Sequence, residues 1–154
     1  MPASKTIKVV DIFAGPGGLG EGFSSFEVER GKARHRPFQI AVSAEMNPKA
    51  HETLLLRAFF RRFGSASDVP EEYYEIVRGQ RNREDLSSEL KKEWKEAGKE
   101  ALLLELGPET DRLHKEIRTR VSLDEPWILI GGPPCQAYSL AGRSQEQGQE
   151  GLCA

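Results

Sequence analysis

The sequence has few of the residues that make disulfide scaffolds or zinc sites. It holds two cysteines and three histidines in 154 residues, and no group of them has the spacing of zinc ligands. A secreted disulfide scaffold of this size would carry more cysteine. We therefore expect a reducing, cytoplasmic setting with Cys135 as a free thiol, and no metal.

Long apolar runs and an excess of charge of one sign are also missing. No stretch approaches the roughly 18 apolar residues of a membrane span, and the N-terminus MPASKTIKVVDIF lacks the pattern of a signal peptide. Lysine and arginine total 22 against 24 acidic residues, for a net charge of −2 at pH 7. A module that holds nucleic acid unaided usually shows a basic excess, so tight binding of DNA or RNA by this chain alone is not expected.

Three short apolar runs, rich in β-branched or aromatic residues, predict buried strands. They cover residues 7–13, 38–44 and 127–130. Helical patterns follow the first two, at residues 19–30 and from Asn47-Pro48, an N-cap followed by proline, to about residue 63. Alternating strands and helices predict an α/β fold with an open, mostly parallel sheet.

The charged stretch 64–125 has a mostly helical pattern. Its apolar residues recur at helical spacing and predict one long amphipathic helix, which ends before Gly107-Pro108. These residues are Leu86, Leu90, Trp94, Ala97, Ala101 and Leu104. We expect residues 64–125 to form a helical insert between 1–63 and 126–154.

The first predicted strand runs into a glycine-rich turn, DIFAGPGGLGEGF, at residues 11–23. Gly15, Gly17 and Gly20 satisfy G-x-G-x-x-G between a strand and a helix, the context of an adenosine-cofactor turn. Glu45, at the tip of the second strand, is placed to accept hydrogen bonds from ribose hydroxyls.

The spacing leaves open whether the cofactor is a dinucleotide or S-adenosylmethionine. Pro16 removes one N–H group from a phosphate cradle, and Phe13 and Met46 offer apolar surface for an adenine ring and a sulfonium tail. Both features favour S-adenosylmethionine. A P-loop is excluded because G-x-x-x-x-G-K-[ST] does not occur.

The third predicted strand leads into GGPPCQAYSLAGR, residues 131–143. Ligands collect at the carboxyl ends of parallel strands, so Cys135 is expected at the same edge as the glycine turn. Pro133 and Pro134 stiffen the backbone before it. A thiolate held there suits a nucleophile, and a buried structural cysteine is the alternative.

DIFAGPGGLGEGF, Glu45 and GGPPCQAYS together resemble three motifs of the DNA (cytosine-5) methyltransferases, over residues 1–56 and 126–143. The resemblance implies a Rossmann-like S-adenosylmethionine-dependent fold, here incomplete. It implies that Cys135 attacks carbon 6 of a cytosine flipped out of double-stranded DNA. The cofactor residues that it implies are Phe13, Ala14, Gly15, Gly17, Gly18, Leu19, Glu45, Met46 and Pro133. Gln136, Ser139 and Arg143 would lie near the DNA backbone.

Other parts of that family's pattern do not occur in the sequence. For the acidic residue that binds the adenine amino group in that family, Asp68 and Asp85 are the only candidates, and both are weak. No Glu-Asn-Val segment, arginine motif or target-recognition domain is found in the sequence. We therefore expect an N-terminal part of such an enzyme, inactive alone and prone to self-association through the exposed edge of strand 127–130. The alternatives are a stand-alone nicotinamide or other adenosine-cofactor module, and a non-enzymatic interaction domain.

Overall fold

The computed structural model describes residues 6–31 and 33–133. The predictions for Pro134, Cys135, Gln136, Ser139 and Arg143 concern residues outside these ranges. Within the described ranges, none of the helices combines the length and apolar character that a bilayer span requires.

The chain has an α/β fold around a parallel sheet of four strands. Strand β1 is Ile7–Ile12, followed by helix α1, Gly18–Ser25, and by a small antiparallel hairpin of β2, Val28–Arg30, and β3, Ala33–His35. Strand β4, Phe38–Glu45, leads into helix α2, Pro48–Phe60. The Asn47 side chain caps α2 by accepting from the Lys49 and Ala50 N–H groups, which confirms the predicted start.

The second half of the chain adds three helices and two strands to this core. Helices α3, Glu71–Val77, and α4, Ser88–Glu100, follow the two short 3₁₀ turns Ala66–Asp68 and Arg83–Asp85 respectively. Strand β5, Ala101–Leu103, continues directly from α4, and helix α5, Thr110–Arg120, precedes strand β6, Trp127–Gly131.

The sheet order is β5-β4-β1-β6, with all pairs parallel. Counted along the chain, these are the third, second, first and fourth strands of the sheet, the order of a Rossmann-like half-sheet. The predicted fold class is therefore confirmed.

Two apolar clusters cover the two faces of this sheet. One packs helices α2 and α4 together and includes Leu54, Phe59 and Ala97. The other lies under α5 and includes Val10, Val42 and Leu113. Strands covered on both faces explain why β1 and β4 read as nearly continuous apolar runs in the sequence.

The structure differs from the sequence prediction in residues 86–104. The predicted amphipathic helix to Leu104 is wrong at its end, because α4 stops at Glu100 and Ala101 adopts an extended conformation. Residues 101–103 pair with Ser43, Ala44 and Glu45 of β4. The stretch 64–125 is mostly helical, but it also supplies an edge strand of the central sheet.

Candidate functional site

The turn after β1 has an unusual backbone. Phe13 has φ of 55°, and Gly15 and Gly17 have φ of 58° and 88°. A left-handed conformation is uncommon for an aromatic residue, and such strain clusters at ligand sites because the surrounding structure holds it in place. Residues 13–17 therefore form a fixed turn.

The N–H groups of this turn are already used within the protein. Ala14 donates to the Ala44 carbonyl at 3.0 Å, and Gly17 donates to the Ala14 carbonyl at 2.9 Å. Gly15 donates to Oε2 of Glu45 at 2.8 Å, and Pro16 has no N–H group. From Ala14 to Gly17 the turn therefore lacks the free donors with which glycine-rich loops cradle phosphate.

Glu45 joins three segments at the carboxyl end of β4. Its Oε2 accepts from Gly15, and its Oε1 accepts the Asn47 N–H at 2.7 Å. Its backbone carbonyl accepts the Leu104 N–H at 3.0 Å, at the exit of β5. Each carboxylate oxygen keeps a second lone pair, so Glu45 can still accept a hydrogen bond from a ligand hydroxyl.

A cavity of about 380 Å³ opens beside Glu45 at the carboxyl edge of the sheet. This size falls within the usual range for small-molecule sites, about 300–1,000 Å³. The cavity lies between the segments that follow β1, β4, β5 and β6. Its lining residues are Phe13, Gly15, Ala44, Glu45, Met46, Asn47, Leu104, Glu105, Leu106 and Gly132.

Four of the residues predicted from sequence to bind a cofactor line this cavity: Phe13, Gly15, Glu45 and Met46. Met46 is 61% exposed, so its side chain is accessible to a ligand.

The remaining predicted cofactor residues do not line this cavity. Ala14 is buried in the core behind the turn, and Gly17 is the buried N-cap of α1. Gly18 and Leu19 border a separate depression together with Phe23 and Phe26. Pro133 is exposed and directly follows Gly132, a lining residue.

Sequence reasoning missed the wall formed by Leu104, Glu105 and Leu106. These residues follow β5, a strand that the sequence prediction assigned to a helix. Asp68 and Asp85, the two weak candidates, lie in the 3₁₀ turns and are not among the lining residues. Glu105, exposed just beyond β5, is a second acidic residue beside Glu45 in the lining of the cavity.

Comparison with known proteins relates the chain to a methyltransferase. The chain is 30% identical over 155 residues to the Type II methyltransferase M.Bpa9945I of Bacillus paralicheniformis. The match covers 89% of this chain but 32% of that protein, so the chain spans about one third of its relative's length. No protein-family model matches, and no solved structure matches well enough to show a relationship. The fold and this similarity together support a methyltransferase as the kind of protein to which the chain is related.

Proposed function

We propose that this chain is the N-terminal part of the catalytic domain of a DNA (cytosine-5) methyltransferase, and that the cavity beside Glu45 holds S-adenosylmethionine. The observation that carries the choice of cofactor is the glycine turn. Its donors from Ala14 to Gly17 are taken by Ala44, Glu45 and Ala14 itself. Residues 14–17 therefore offer a pyrophosphate no free N–H donor, whereas S-adenosylmethionine carries no phosphate and needs none.

The lining residues suit the parts of this cofactor. Phe13, Met46 and Leu106 provide apolar surface for the adenine ring and the methionine chain. The free lone pairs of Glu45 would accept the ribose hydroxyls. Glu105 is a carboxylate at the rim that would accept the adenine amino group. When bound, the cofactor supplies a methyl group on a positively charged sulfur.

The proposal of cytosine-5 chemistry is supported by the sequence Pro133-Pro134-Cys135-Gln136. This segment follows Gly132, which lines the cavity. The Cys135 thiolate would form a bond to carbon 6 of a flipped cytosine, and the electron pair of the 5,6 double bond would move to carbon 5. Carbon 5 then takes the methyl group. A base removes the proton from carbon 5, the double bond re-forms and the thiolate leaves.

DNA contacts from this chain would come from residues that follow Cys135 in the sequence. Gln136, Ser139 and Arg143 are the side chains proposed to lie near the DNA backbone. The net charge of −2 gives the chain no basic surplus for this purpose, so most of the affinity for double-stranded DNA would come from the rest of the enzyme.

Calorimetry tests the proposed cofactor. S-adenosylhomocysteine, the demethylated product, is expected to bind weakly, and NAD is expected not to bind. Glu45→Ala removes a carboxylate whose hydrogen bonds are worth about 1.5–3 kcal/mol each, so affinity should fall at least about tenfold. Glu52→Ala, an exposed position on α2 outside the cavity, is the matched control. Tight NAD binding, or equal affinities for the Glu45 and Glu52 variants, would overturn the assignment.

A methyl-transfer assay tests the proposed reaction. Residues 1–154 alone are expected to transfer no labelled methyl group to DNA. The same chain joined to the downstream segments of a cytosine-5 enzyme should do so. Cys135→Ser should abolish that activity, whereas Cys153→Ser should preserve it. Activity of the joined Cys135→Ser variant would contradict the covalent mechanism.

A further inference from the structure

Asp11 on β1 is a buried carboxyl group for which the proposed reaction has no use. It is 0% exposed, and the donor that acts on it among the described residues is the Gly20 N–H, whose approach falls short of a well-formed hydrogen bond. Its register partner on β4 is Ser43, whose hydroxyl is also buried without a partner in those ranges. Unpaired buried polar groups cost folding free energy, so their retention at this place points to a role.

The carboxyl group of Asp11 lies directly beneath the first turn of α1. A Cβ atom on Gly20 would come within 3.2 Å of Oδ2 of Asp11. Gly20 is the last glycine of the G-x-G-x-x-G pattern. Because it has no side chain, α1 can pack directly against this carboxyl group. Because α1 starts at Gly18 and Gly17 is its N-cap, the position of this turn fixes residues 13–17.

The charged group whose field reaches Asp11 is Arg61, just beyond α2. Arg61 is itself shared between two carboxylates, Glu21 of α1 at 2.9 Å and Glu100 of α4 at 2.5 Å. Burial dominates and raises the pKa of Asp11 to about 6, against smaller opposing effects of the Gly20 N–H and Arg61.

We propose that Asp11 is a positioning residue whose neutral form holds the first turn of α1, and with it residues 13–17, in the geometry that makes the wall of the cavity. A neutral carboxyl group brings no charge into the buried site beneath α1 and keeps a carbonyl oxygen that faces the Gly20 N–H. Ionisation leaves a poorly solvated charge under the helix, which favours opening of the turn.

The direction of the pH effect follows from this linkage. The closed turn holds the proton of Asp11 more tightly than an open, hydrated turn, in which the pKa returns toward its ordinary value. Closure is therefore favoured below about pH 6 and loosened above it. Any ligand that needs the closed turn should bind more tightly as the pH falls from 7.5 to 5.5.

Asp11→Asn is the discriminating variant, because an amide reproduces the neutral carboxyl group in size and in donor and acceptor pattern. Amide hydrogen exchange of residues 14–20, corrected for intrinsic rates, would be measured on the full chain at pH 5.5 and 7.5. Protection in the wild type should be about fourfold higher at pH 5.5, which follows from a pKa of about 6 in the closed turn and an ordinary value near 3.8 in the open turn. Asp11→Asn should show high protection at both values, and the exposed control Asp124→Asn should behave as wild type.

Affinity for S-adenosylhomocysteine, measured in the same buffers, should likewise be higher at pH 5.5 in the wild type and independent of pH in Asp11→Asn. This second measurement rests on the proposed function. Absence of binding at both pH values would count against that function, while the exchange data would still decide the role of Asp11. Equal pH dependence of protection in the wild type and Asp11→Asn would overturn the inference. So would protection in Asp11→Asn that falls below wild type at pH 7.5.

Discussion

Gly131 lies so close to Ile12 that a Cβ atom on Gly131 would come within 2.2 Å of the Ile12 carbonyl oxygen. The two residues are register partners at the carboxyl ends of β6 and β1. Their contact places the end of β6 directly against the start of the glycine turn. Close packing of the two strands therefore requires a glycine at position 131, whether or not the GGPPC segment takes part in catalysis.

Gly131→Ala should therefore destabilise the chain. The clash is with a backbone atom, so relief requires the end of β6 to shift, and overpacking of this kind costs about 1–3 kcal/mol or more. Gly132→Ala is the matched control, since a Cβ atom there meets nothing within 4 Å. Urea unfolding would measure both, and equal midpoints for the two variants would contradict the tight approach.

Arg61→Ala should lower the free energy of unfolding more than Arg62→Ala does. Arg61 is 13% exposed and bridges Glu21 and Glu100, so its loss leaves the Glu100 carboxylate, whose side chain is 16% exposed, without its partner. The cost should exceed the roughly 1 kcal/mol of an exposed pair. Arg62 is 39% exposed and pairs with Glu93 at 2.8 Å, a surface pair worth about 1 kcal/mol or less. Thermal and urea unfolding at pH 7.5 would compare the two variants. Similar losses in the free energy of unfolding would show that the Arg61 ion pairs contribute no more than an exposed pair.

The Arg61→Ala deficit should also depend on pH. Burial raises the pKa of Glu100, and Arg61 opposes that shift. Without Arg61 the folded-state pKa of Glu100 rises further. Ionised Glu100 then destabilises the fold more, so the deficit should be larger at pH 7.5 than at pH 5.

Asp11→Asn should raise the free energy of unfolding at pH 7.5. The pKa of Asp11 is about 6 in the folded chain against an ordinary 3.8, so the folded state holds the proton more tightly and loses stability as pH rises through that window. The difference corresponds to about 2–3 kcal/mol at pH 7.5. Asp124→Asn serves as control. A wild-type minus Asp11→Asn difference that stays constant from pH 4 to pH 7.5 would contradict the shift.

Strand β6 should promote self-association of the chain. Among the described strands it pairs with β1 alone, and its Leu129 is 54% exposed. An open edge with apolar side chains tends to pair with another chain. Sedimentation should show dimers or larger species that Leu129→Lys reduces and that Val77→Lys, at a similarly exposed site on α3, leaves unchanged. A concentration-independent monomer would refute this expectation.

The sequence predicted the elements whose local pattern agrees with their environment. Strands β1 and β4 are covered on both faces and read as apolar runs, and Asn47-Pro48 marks the start of α2 by capping chemistry that is purely local. The glycine turn around Gly15 and the position of Glu45 at the end of a strand were also predicted correctly, because both depend on short spacings in the sequence.

Strand β5 was missed because its residues continue the apolar spacing of the helix before it. Ala101 and Leu104 fall on the same stripe as Leu90 and Ala97, and three residues are too few for an alternating pattern to show. Pairing with β4, a contact distant in sequence, overrides the helical pattern there. For the same reason Glu105 was not recognised as a cavity residue. An acidic residue can be assigned to the carboxyl edge of the sheet only when the strand before it has been identified.

The direct passage from α4 into β5 has a consequence for how the chain tolerates length changes. No loop separates Glu100 from Ala101, so a residue inserted or deleted at this junction cannot be absorbed locally. It would rotate the end of the helix or turn each following side chain to the opposite face of the sheet. Exposed residues 79–80, just after α3, have room for such changes. Homologous chains should therefore vary in length between α3 and α4 and keep a constant length from Glu100 to Glu105.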